Sequence, residues 1–129
     1  MEQFFLETPV EGFINITARV RDCVRRSRVR QGICQVFVPH TTAGVTINEN
    51  ADPDVVEDML VALGHMVPDL PYKHGEGNSP AHVKSSLVGC SITVPIVDNE
   101  LYLGTWQGIY FCEFDGPRRR QVGIQVVGG

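Results

Sequence analysis

The sequence predicts an α+β fold, mostly antiparallel β-sheet or sandwich with two or three short helices, in one compact domain over residues 1–129. Three observations predict it. Two segments open with a helix-start signature, Asp52-Pro53 and Ser79-Pro80, each a capping residue followed by a proline whose fixed φ suits the first turn. Short runs of β-branched and aromatic residues flank them, broken by Gly, Pro and Asx turns. At 129 residues the chain has the length of one ordinary core, able to bury about two-thirds of its unfolded surface.

In order along the chain, residues 3–8 and 13–16 read as strands joined by the turn Pro9-Val10-Glu11-Gly12. Thr17 is placed to cap a helix whose inner face is Val20, Cys23 and Val24 and whose outer face carries Arg19, Arg21, Arg25, Arg26 and Arg28. The run Ile33-Cys34-Gln35-Val36-Phe37-Val38 is apolar on both alternations and predicts a central strand covered on both faces, ended by Pro39. Val45 to Asn48 form the next strand. The helix from Asp52-Pro53 presents Val55, Val56, Met59, Leu60 and Leu63 on one face and ends near Gly64 to Val67. Residues 68–79 are a loop rich in Pro, Gly and charge, and a helix runs from Ser79 to Leu87, ended by Gly89. Strands over 91–97, 100–105, 108–114 and 119–127 read as an antiparallel meander.

Composition narrows the function classes. With 43% hydrophobic and 20% charged residues the chain is an ordinary globular protein. A net charge of −4 argues against a nucleic-acid binder. No apolar run approaches the roughly 20 residues of a membrane helix. The start Met1-Glu2-Gln3-Phe4-Phe5-Leu6 lacks the pattern of a secretory signal, so the sequence reads as cytoplasmic with no membrane partner. Cys23, Cys34, Cys90 and Cys112 follow no disulfide or zinc spacing and read as buried thiols of a reducing compartment.

Chemistry concentrates at element ends. His40 follows a rigid strand at the start of a loop, His74 lies in a polar loop beside Glu76 and Asn78, and His82 stands in the first turn of a helix. Three imidazoles can hold a divalent metal ion, zinc or magnesium, or share acid–base work, with Glu76 as general base or supporting carboxylate. The free amides at the His82 helix start suit an anion such as phosphate, with Lys84 nearby. Thr41, Asn48, Asn78 and Gln107 would orient a ligand, and Trp106 would stack on a ring. Each has a plainer alternative: a strand-end histidine that holds a loop, a solvated lysine, a tryptophan at an edge. Arg118, Arg119 and Arg120 read as a solvated or subunit-contacting edge.

Four stretches carry a family resemblance. The run Phe37-Val38-Pro39-His40-Thr41-Thr42-Ala43-Gly44-Val45-Thr46-Ile47-Asn48-Glu49-Asn50-Ala51-Asp52-Pro53-Asp54-Val55 resembles the signature of the YjbQ-like proteins. So do His74-Gly75-Glu76-Gly77-Asn78-Ser79-Pro80-Ala81-His82, Leu103-Gly104-Thr105-Trp106-Gln107 and the ending Phe114 to Arg120. The resemblance implies a single YjbQ-like α+β domain, a homotrimer with sites near subunit contacts, and thiamine-phosphate synthase activity. That transferase reaction would join a pyrimidine-methyl diphosphate to a thiazole phosphate and release pyrophosphate. A small cytosolic enzyme acting on phosphorylated small molecules is thus the leading expectation. The alternative is a non-catalytic module that binds a phosphorylated metabolite or cofactor, and a third class is an interaction protein whose histidines only hold loops.

Overall fold

The computed structural model describes residues 1–129. The elements run β1 Glu2–Glu7, β2 Gly12–Asn15, α1 Thr17–Ser27, β3 Gln31–Phe37, β4 Ala43–Glu49, α2 Pro53–Met66, α3 Ser79–Val88, β5 Ser91–Val97, β6 Glu100–Leu101, β7 Gln107–Glu113 and β8 Arg119–Gly128. This is an α+β fold in which every strand pair is antiparallel. A five-stranded sheet has the order β1-β8-β3-β5-β6, and a three-stranded sheet has the order β2-β7-β4.

Side-chain alternation builds the layers. Along β7, Ile109 and Phe111 point into the main core, while Tyr110 and Cys112 point the other way into a second cluster. The main core closes between the two sheets with Cys34, Val36, Val94, Ile96, Val122 and Ile124 from the five-stranded sheet and Val20, Cys23 and Val24 from α1. The second cluster seats the helices on the back of the three-stranded sheet through Ala81 of α3, with Val56 and Leu63 of α2 against it. Both faces of β7 are therefore covered, and every residue of it after Gln107 is buried.

Four expectations are corrected. The last four strands are antiparallel but form no meander: β8 leaves its sequence neighbours to pair with β1 and β3, and β7 joins the other sheet. Strand β3 is central but covered on one face only, with Ile33 46% and Phe37 44% exposed. Thr17 caps nothing; its hydroxyl donates to Asn15 Oδ1 at 2.6 Å and accepts the Ile109 amide at 2.8 Å, tying α1 to β7. At α2 the sequence signature works as written, with Asp52 accepting from the Asp54 amide at 2.9 Å and Pro53 in the first turn. For α3 the capping position is Asn78, one residue before the expected Ser79. No helix is long and apolar enough to cross a membrane.

Candidate functional site

A pocket of about 650 Å³ opens where β3 gives way to the loop before β4. Its volume lies in the range of small-molecule sites. Pro39 ends β3, since it has no amide for the ladder, and the backbone turns away from β8. That departure would strand the Gln121 amide of β8, and the His40 ring takes over as acceptor, with Nε2 at 2.9 Å from the Gln121 nitrogen. Half-burial, then the positive charge of Arg120, hold the His40 pKa below its ordinary value.

Below the pocket the two sheets are bridged by one ion pair. Arg120 of β8 and Glu113 of β7 are 4% and 0% exposed, and the guanidinium meets the carboxylate through both Nε at 2.7 Å and Nη2. Arg120 also donates to Thr42 Oγ1 at 2.8 Å, and Glu113 accepts from the Thr8 hydroxyl and the Asp115 amide. Burial pushes the Glu113 carboxyl up, but the bonds from Arg120, Thr8 and Asp115 outweigh it and leave it below the ordinary value. Nη1 of Arg120 has no protein partner and is not closed off.

Beside this pair runs a second chain of polar contacts. Asp115 Oδ2 accepts from Asn78 Nδ2 at 2.8 Å and from Arg118 Nη2 at 3.0 Å. The Asn78 bond first, then Arg118, hold the Asp115 carboxyl below its usual value against the effect of burial. Arg118 is fixed further by donating Nε to the Asp115 carbonyl at 2.7 Å. The turn before it needs Gly116, because a Cβ there would stand 1.9 Å from the Pro9 carbonyl oxygen.

The structure gathers most of the expected site. His40, Thr41, His74, Glu76, Asn78 and His82 line this pocket together. The rings of His74 and His82 meet edge to face with centroids 5.5 Å apart, and His74 Nε2 lies 4.0 Å from Glu76 Oε1. The residues do not fit a three-histidine metal centre: no three His, Cys, Asp or Glu side chains are grouped to hold an ion, and the Nε2 lone pair of His40 faces the Gln121 amide.

Four expected ligand contacts lie elsewhere. Lys84 stands two residues after His82, on the opposite side of α3, and is buried with Nζ 3.3 Å from Glu11 and 5.9 Å from the Phe114 ring. Asn48, Trp106 and Gln107 sit at the far end of β4, where Glu49 pairs with Gln107, whereas the pocket end is Ala43 paired with Glu113. Six residue steps of strand separate the ends by about 20 Å. Gln107 accepts the Gly104 amide at 2.8 Å, Asn48 accepts the Glu49 amide at 2.7 Å, and Trp106 is 63% exposed.

Sequence reasoning missed Arg120 and Cys90; it offered Thr42 as a hydroxyl beside His40 and Arg118 as a positive charge without their partners, and all four line the pocket. Alternation was the available signal. Arg120 shares the inward parity of Val122 and Ile124, while Arg119 points out and lies 4.4 Å over the Phe5 ring. The four cysteines are free; three are buried, and Cys90 is exposed at the pocket rim. Burial pushes the Cys34 thiol up to about 11 and, with Glu2 as the next cause, the Cys23 thiol up to about 12.

Comparison with known proteins agrees with this architecture. The sequence profile of the family described as "UPF0047 protein YjbQ-like" matches residues 2–129. UPF0047 protein MJ1081 of Methanocaldococcus jannaschii is 52% identical over 92% of this chain and 86% of the relative. UPF0047 protein YugU of Bacillus subtilis is 48% identical over 94% and 93%. A crystal structure of an uncharacterised conserved YjbQ/UPF0047 protein from Clostridium acetobutylicum superposes with TM-score 0.96 at 52% identity, covering 98% of this chain and all of that one. The conserved hypothetical protein TT1486 from Thermus thermophilus gives 0.91 at 40% identity over 98% of this chain.

Proposed function

Because the chain belongs to the YjbQ-like UPF0047 family, we propose that the pocket at the end of β3 is its working site and binds a phosphorylated small molecule. The carrying observation is the concentration of fixed donors there: Arg118 held by Asp115, Arg120 held by Glu113 and Thr42, and histidines on both sides. Arginines pinned by carboxylates and sharing one pocket are arranged to meet an anionic oxygen without first reorganising. Calorimetric titration with inorganic phosphate and pyrophosphate tests this. Saturable binding that weakens about tenfold in Arg118→Ala is expected; equal, non-saturating heats in both proteins would end the proposal.

Thiamine-phosphate synthase chemistry is the finer form of the same reading. The methylene–oxygen bond of a pyrimidine-methyl diphosphate breaks, the thiazole-phosphate nitrogen forms the new carbon–nitrogen bond, and pyrophosphate leaves. What supports it is the arginine pair, since a departing pyrophosphate needs fixed positive charge. Formation of thiamine phosphate and pyrophosphate from the two substrates, lost in Arg118→Ala, is the outcome to look for. Phosphate binding without turnover on those substrates would favour the non-catalytic binding module. The unpaired thiols suit a reducing, cytoplasmic compartment.

Self-association belongs to this reading as well, in the form of a homotrimer. Its support is the outer face of the five-stranded sheet, where Ile33, Phe37, Val97 and Val127 are 39–49% exposed and the outward positions of β3 and β5 carry no charge. Phe37 belongs both to this face and to the pocket wall, so a second copy seated there would border the site.

A further inference from the structure

His40 has two ring nitrogens with different fates. Nε2 accepts from the Gln121 backbone amide at 2.9 Å, and an amide nitrogen can only donate, so this ring nitrogen carries a lone pair and no proton. A neutral imidazole holds one proton, which must then reside on Nδ1. Nδ1 makes no hydrogen bond within the protein, and it is not among the buried atoms left unpartnered. The ring lines the pocket, so Nδ1–H faces open space there. A ring charged at both nitrogens would turn an N–H against the Gln121 N–H. Burial first, then the neighbouring Arg120, act against the charged ring and outweigh the Gln121 backbone contact and the Glu113 charge that favour it.

We propose that His40 is a locked hydrogen-bond donor that reads an acceptor oxygen of the bound phosphoryl group, and is neither a metal ligand nor a general base. The inference rests on the reading of the pocket as a phosphate-ligand site and makes it more specific. His40, Arg118 and Arg120 then form a donor-only wall. Proton transfer, where the reaction needs it, falls to the contacting pair His74 and His82, with Glu76 4.0 Å from His74. An ionised phosphoryl oxygen accepts the Nδ1–H more strongly than a protonated one, because a charge-assisted hydrogen bond is the stronger of the two.

Two substitutions separate the roles of the two nitrogens. The amide nitrogen of His40→Asn falls near the Nδ1 position, and the amide oxygen of His40→Gln falls near the Nε2 position. The test combines long-range proton–nitrogen NMR of the ligand-free protein with titration by inorganic phosphate and thermal unfolding. The expected spectrum at neutral pH shows His40 protonated at Nδ1 and bare at Nε2. His40→Asn is expected to keep phosphate affinity within about threefold while losing stability. His40→Gln is expected to keep stability while losing about tenfold in affinity, as His40→Ala does. A proton on Nε2, or phosphate affinity equally weak in the Asn, Gln and Ala variants, overturns the lock. Failure of the unsubstituted protein to bind phosphate overturns the site reading instead, and the nitrogen spectrum still decides the tautomer.

Discussion

Pro39 and His40 act as one unit: the proline ends a ladder and the histidine satisfies the amide that the ending exposes. Because the folded state holds His40 below its ordinary value of 6.5, the unfolded chain binds its proton first. Stability from this group is complete above 6.5 and is lost as pH falls through the window below it. Glu113 and Asp115, held below 4.5 and 3.8, contribute stability that survives to lower pH and is lost as pH falls through their folded values. Denaturant melts on acidification should therefore show an early decline beginning near pH 6.5 that His40→Gln removes, ahead of a steeper acid loss that it leaves. An early decline unchanged by His40→Gln would contradict this account. The buried Arg120–Glu113 pair gives a larger effect. Glu113→Ala leaves a guanidinium buried without its counter-charge and should cost on the order of 3–5 kcal/mol in urea unfolding. A loss below about 1 kcal/mol would mean the charge finds water.

At the scale of elements, periodicity sorts neighbours in sequence to different places. His82 and Lys84 share a helix but face a pocket and the exposed Glu11 respectively, because two helical steps are a rotation of about 200°. Arg119 and Arg120 share a strand and part company because two consecutive residues face opposite sides. Strand β4 carries His40 and Thr41 before its start and Asn48 at its far end, so a motif continuous in sequence spans the length of the sheet. Trp106→Ala should therefore leave phosphate affinity within about twofold while Arg118→Ala weakens it about tenfold, both read by calorimetry. Equal losses would place the far end of β4 in the site, within one chain or across a contact between copies. For α2, which has no fully buried residue, Asp52→Ala should cost about 1 kcal/mol, seen as faster local hydrogen exchange in that helix.

At the scale of the molecule, the sandwich is closed on one side and open on the other. The three-stranded sheet has the main core on one face and α2 and α3 on the other, which is why β7 is buried throughout. The five-stranded sheet has the core on one face only, and its outer face keeps Ile33, Phe37 and Val127 between 44% and 49% exposed. Ile33→Lys with Val127→Glu puts charge where none stands now. On the proposal that copies meet on this face, it should shift sedimentation toward the monomer with little change in circular dichroism, and an unchanged sedimentation profile would overturn that contact.

The element list, its order and the start of α2 were legible from local rules, since Pro, Gly, Asx and the two periodicities act through backbone geometry within a few residues. Six of the residues that line the pocket, His40, Thr41, His74, Glu76, Asn78 and His82, were named from sequence because they sit at element ends or in the polar loop before α3. Pairing was not legible: nothing local sends β8 between β1 and β3 in place of its neighbour, and that choice comes from covering core faces across more than eighty residues of chain. Nor did the run Ile33 to Val38 tell a strand buried on both faces from one whose outer face is apolar and exposed, because both carry apolar side chains on each alternation. The roles within the site were likewise decided in three dimensions. Which nitrogen of His40 carries the proton depends on an amide 81 residues away, and the partner of Arg120 was set by two strands meeting across a core.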